Sequence, residues 1–105
     1  SSHPQVSLSQ EDQVKQKVLR RLDQINTEMA RYKEELRVAT EQLSYQGEVA
    51  DEAKTRMLVS DTPASRREFK EAEGDLELHR RNHQEMAKKI RELEAQRDRL
   101  LEELI

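Results

Sequence analysis

Apolar and small residues recur in alternating steps of four and three: Val18, Leu22, Ile25, Met29, Tyr32, Leu36, Ala39, Leu43, Ala50, Ala53 and Met57, with Gln46 interrupting. This is a heptad held in phase, longer than a helix lying on a globular core usually sustains, and it predicts a coiled-coil helix over 10–58. The pattern breaks between Val59 and Pro63, where Thr62 suits a helix N-cap and Pro63 the first helical position, so a turn is predicted over 59–62. A second heptad follows at Phe69, Ala72, Leu76, His79, His83, Met86, Ile90, Leu93, Arg97, Leu100 and Leu104, predicting a helix over 63–105. Residues 1–9 lack periodicity and carry Pro4; they read as a disordered lead-in, with Ser7 or Ser9 as the cap of the first helix.

The two heptads are out of phase, so one straight helix would not keep both seams on one side. A reversal centred on Asp61 solves this by bringing a positions opposite d positions: Ala53 with Phe69, Ala50 with Ala72, Leu43 with His79, Leu36 with Met86, Tyr32 with Ile90, Met29 with Leu93 and Leu22 with Leu100. The g positions then meet as Arg21 with Glu103, Glu28 with Gln96, Glu35 with Lys89, Gln42 with Asn82, Val49 with Asp75 and Arg56 with Glu68, without a repulsive pair. Lys54 with Glu73 and Lys33 with Glu94 add attraction on the other side of the seam. The fold class is therefore all-α, an antiparallel two-helix coiled-coil hairpin, with pairing of two hairpins into a four-helix dimer as its extension. A parallel coiled-coil spacer is the competing architecture, which Glu28 with Lys33 and Lys89 with Glu94 would also suit; Pro63 and the phase jump count against it.

Composition narrows the function. Charged residues make up 39% of the 105 positions against 33% hydrophobic, which leaves no thick globular core. The net charge of −3 is interspersed, without the basic stripe that nucleic acid requires. No apolar run approaches the ~18 residues of a membrane span, so no membrane insertion is expected. Absence of cysteine excludes thiolate chemistry and favours a reducing, cytoplasmic compartment. The chain starts without Met and is read as a segment of a larger intracellular protein.

His79 and His83 stand four apart, a spacing that lets two imidazoles share a metal, but the residues opposite, Leu43 and Ala39, supply no further ligand. They are read as polar seam residues, with neither metal nor cofactor expected. Gly47 and Gly74 fall at nearly one height and mark a soft level or a close approach of the helices. Lys54, Arg56, Arg66, Arg67 and Lys70 gather into a basic tip suited to an acidic partner, and Thr62 before Pro63 fits a proline-directed phosphorylation site. No catalytic set can be assembled on a two-helix rod, so the chain is not expected to be an enzyme.

The strongest functional lead lies off the seam. Val38 and Tyr45 at c positions, Val49 at g, and Leu78 at c of the second helix share one face, with uncharged Gln42 and Asn82 between them. Contiguous apolar residues on a mostly charged rod predict a partner-binding face, for a second copy or for another helical or globular protein. The expected function is a non-enzymatic scaffold, adaptor or oligomerisation segment. The architecture is similar in outline to the short antiparallel coiled-coil fingers of Rho-binding small-GTPase effectors, which implies a small GTPase as an alternative partner. The helices here are longer, and the Gly-Ala-Glu-Asn stretch expected of those effectors is absent.

Overall fold

The computed structural model describes residues 9–105, and consists of α1, Gln10–Val59, and α2, Pro63–Glu103, which pack along their lengths. The chain reverses at 60–62, so the parallel rod, which needs the two segments to continue in one direction, is replaced by a hairpin. At ~1.5 Å per residue, α1 runs for roughly 75 Å.

Local chemistry fixes the ends. Ser9 caps α1, its Oγ accepting from the Asp12 N–H at 3.1 Å, and Glu11 and Asp12 put negative charge at the positive end of the helix dipole. Ser7 lies outside the described residues. α1 continues one residue beyond the expected 58 and ends where the Ser60 N–H donates to the Arg56 carbonyl at 2.9 Å; α2 stops at Glu103 rather than at 105. Thr62 is extended, with φ −123° and ψ 161°, and Pro63 opens the helix without needing a donor. The Ser65 N–H donates to Thr62 Oγ1 at 3.0 Å while the Thr62 N–H donates to Ser65 Oγ at 2.9 Å, a reciprocal cap in which serine replaces the usual longer side chain. Thr62→Ala should therefore cost about 1 kcal/mol and lower the melting temperature by several degrees, whereas Thr55→Ala, with its hydroxyl on the Asp51 carbonyl of the same helix, should change little. Thermal melts of the two variants check this.

Two clusters hold the helices together. Near the open end Ile25, Met29 and Leu93 are buried, with Tyr32 and Leu100 against them; near the turn Ala50, Ala53 and Ala72 are buried beneath Val49, Phe69 and Leu76. Each fully buried Ile or Leu contributes roughly 1.5–3 kcal/mol, so the open-end cluster carries more of the stability than the alanine layer. Between them Ala39 and Ile90 are buried, while Leu36, Leu43, His79, His83 and Met86 are half-buried. Leu19 and Leu101 remain exposed at 51% and 42%, adding little to the core at the open end.

Cross-helix charge pairing is sparser than the heptads predict. Arg56 reaches Glu68 at 2.5 Å as expected, and is the one α1–α2 ion pair among the described residues. Arg21 departs from its expected partner, Glu103: its guanidinium donates to Gln96 at 2.9 Å and lies 3.9 Å from Glu28. A long side chain can reach past its own level, and Gln96 and Glu28 together offer two acceptors. Glu35 pairs with Arg31 of its own helix at 3.7 Å instead of with Lys89. Among the described residues neither Lys33 nor Lys54 has a carboxylate within the 4.0 Å of an ion pair.

The two glycines do not mark a close approach. A Cβ built on either Gly47 or Gly74 meets nothing within 4 Å, and neither has a positive φ. Each costs helix stability without a packing return, so Gly47→Ala and Gly74→Ala should each stabilise the hairpin by about 0.5–1 kcal/mol, readable as a raised urea midpoint.

Candidate interaction face

The site begins where the seam is thinnest. Ala39 is only 2% exposed and too short to fill the space beside it, and the side chains around it leave an open groove between the helices. Val38, Ala39 and Gln42 of α1 line it together with Asn82 and Met86 of α2, and Glu34 and Glu35 close one end. The structure thus brings together Val38, Gln42 and Asn82, as the heptad positions require. Tyr45 lies about one helical turn above Gln42 and Leu78 one turn from Asn82 on the corresponding stripe of α2, so both extend the same face. Tyr45 is 62% exposed, Leu78 64% and Val38 39%. Val49 is different: it is half-buried against Ala50, Ala53 and Ala72, whose small side chains let it close over the seam. It forms the edge of the face and part of the core.

Electrostatics stiffen the margin of the groove. Arg37 Nη2 lies 2.6 Å from Glu34 Oε1, and Arg37 Nη1 lies 2.8 Å from Glu41 Oε1. The hydrogen bonds from Arg37, and then its charge, hold the Glu34 carboxyl below its ordinary value; the same contacts raise Arg37. A carboxylate whose folded value is depressed stabilises the helix above the unfolded value, and the contribution disappears as pH falls through the folded one. Helix content in this segment should therefore decline slightly on acidification below about pH 4, and Arg37→Gln should reduce that decline in circular dichroism titrations.

The five basic residues at the tip do not act as one cationic patch. Arg56 is paired with Glu68, and Arg66 Nε is 2.5 Å from Asp61 Oδ1, a hydrogen bond and charge contact that raise the guanidinium further. Lys54, Arg67 and Lys70 are exposed, without a carboxylate at ion-pair distance among the described residues. The Thr62 hydroxyl is exposed but serves the helix cap. An open depression at the tip, lined by Thr55, Val59, Ser60 and Thr62 among others, is not legible in the heptads because Leu58 ends the expected helix off the seam and Val59 falls in the expected turn; they are 71% and 82% exposed. Their b and c positions were the available signal.

His79 and His83 are half-buried, and His83 Nε2 lies 3.0 Å from Thr40 Oγ1 across the seam. No group of three or more His, Cys, Asp or Glu arranged to hold a metal ion occurs among the described residues. No helix of the described residues is long and apolar enough to cross a membrane. Comparison with protein-family models, with curated proteins and with solved structures finds no match.

Proposed function

We propose that this hairpin is a non-enzymatic protein-interaction module, a scaffold or adaptor that binds through the face of Val38, Gln42, Tyr45, Leu78 and Asn82. One observation carries the reading: three large apolar side chains stay exposed around an open groove on a rod whose sequence is 39% charged. Val49, half-buried at the margin, gives the face a firm edge. A cysteine-free chain fits a cytoplasmic setting.

Site-specific photo-crosslinking tests the reading. A benzophenone-bearing residue at position 45 should give discrete adducts with a protein partner, and one at position 51, exposed on the opposite side of α1, should not. Equal adducts from both positions, or none from position 45, would contradict it.

A further inference from the structure

The charge around the apolar face states what kind of partner fits it. Toward the turn the face is bordered by Glu52, Glu71 and Asp75, and toward the open end by Glu85 and Glu92, all exposed. None of these five carboxylates has a cation at ion-pair distance among the described residues. The cations nearby are few. Arg31 is already committed to Glu35 at 3.7 Å and lies 4.9 Å over the Tyr32 ring, and Arg56 is committed to Glu68, which leaves Lys89 with Lys88 beside it, both between Glu85 and Glu92. The opposite side of the rod is mixed, with exposed Lys33, Lys54, Lys70 and Arg91 interspersed among Asp51, Glu73 and Asp98.

This asymmetry disfavours a second copy as the occupant. Two such faces laid together in either direction bring the unpaired carboxylates Glu52, Glu71 and Asp75 against one another or against Glu85 and Glu92, and like charges across a contact are costly. Shape supplies the remaining constraint. Val38 and Tyr45 are seven residues apart, about 10 Å of helix, and Leu78 flanks the same stretch from α2, so the groove runs along the rod from Glu34 and Glu35 toward Tyr45. An elongated apolar groove of this kind accepts side chains at i, i+3 or i+4, and i+7 of an incoming helix.

We propose that the face is a docking groove for a basic amphipathic helix of a partner protein. The apolar stripe of that helix lies on Val38, Tyr45 and Leu78, and its flanking Lys or Arg residues meet Glu52, Glu71, Asp75, Glu85 and Glu92. The hairpin becomes a three-helix bundle at its thinnest level. This rests on the interaction-module reading and specifies the partner for the same face.

The test uses three synthetic peptides of about 18 residues, long enough to form a helix when docked. One carries Leu at helical spacing with Lys elsewhere, the second replaces every Lys by Glu, and the third scrambles the first. Titration calorimetry with the full chain should show the Lys-flanked peptide binding at least about tenfold tighter than either of the others, and weakening as salt rises. Tyr45→Ala with Leu78→Ala should lose about tenfold, as should Glu52→Lys with Glu85→Lys, while Asp51→Lys with Glu73→Lys on the other side should leave binding unchanged. Equal binding of the scrambled peptide would show charge attraction without a groove, equal binding of the Glu-flanked peptide would show no role for the acidic border, and no binding at all would show no helix site. Each overturns the proposal, as would a two-chain mass that the Tyr45 and Leu78 changes reduce to one. Partner adducts from position 45 alongside a failed peptide titration would leave the interaction module standing with a partner of other chemistry; loss of both would remove both.

Discussion

Ile25→Ala should destabilise the hairpin by about 2–5 kcal/mol, the largest effect of any single truncation in the chain. Among the described residues Ile25 is the one large side chain fully enclosed, at 0% exposure, and it joins Met29 to Leu93 across the seam. Truncation removes transfer free energy and also leaves a gap that two long helices, pinned on both sides by Leu22 and Met29, close only in part. For a domain of this size each kcal/mol moves the melting temperature by roughly 4–8 °C, so the midpoint should fall by ten degrees or more. Leu58→Ala supplies the matched control: the residue is 71% exposed, and its loss should stay within about 0.5 kcal/mol. Equal midpoints for the two variants in urea titrations would place the stabilising contacts somewhere other than the open-end seam.

Val38→Lys combined with Tyr45→Lys should abolish partner binding while leaving the fold intact. Both positions face outward on α1, at 39% and 62% exposure, and lysine is a good helix former, so helix content and melting temperature should change by no more than a few degrees. Binding should fall at least tenfold, because a charged ammonium in a contact that covers the Ala39 groove must be desolvated without a matching carboxylate from a basic partner. A structural spacer gives the opposite outcome, since its outer face would tolerate the exchange without loss of assembly. A large fall in melting temperature with both lysines in place would instead assign Val38 and Tyr45 to the core.

The architecture was legible because its causes are local and periodic. Ala53 beside Phe69, Ala50 beside Ala72 and Met29 beside Leu93 follow from the seam positions, and the structure gathers them into the same clusters. Thr62 and Pro63 marked the start of the second helix because side-chain oxygen and ring geometry act within a single turn. The face was legible in part. Val38, Gln42 and Asn82 line one groove as their heptad letters predict, but the groove itself comes from the short side chain of Ala39, a volume effect that the alternation of apolar and polar residues does not register. Val49 is half-buried for the same reason, since three neighbouring alanines leave room for it. Ion pairs were the least legible feature. Arg21 had several acceptors within reach, and pairing by level alone does not choose between Glu103 and the Gln96 and Glu28 it meets. The glycines misled because residue type cannot distinguish a helix in close approach from one with open space beside it.

The measurement that tests the account most directly is the absolute mass in solution by multi-angle light scattering across a wide concentration range. A hairpin that closes on itself and keeps its acidic-bordered face for a foreign helix predicts the mass of one chain, 12.4 kDa, at every concentration. A mass of two chains that persists on dilution would contradict it, by showing that this face or the seam itself is completed by a second copy.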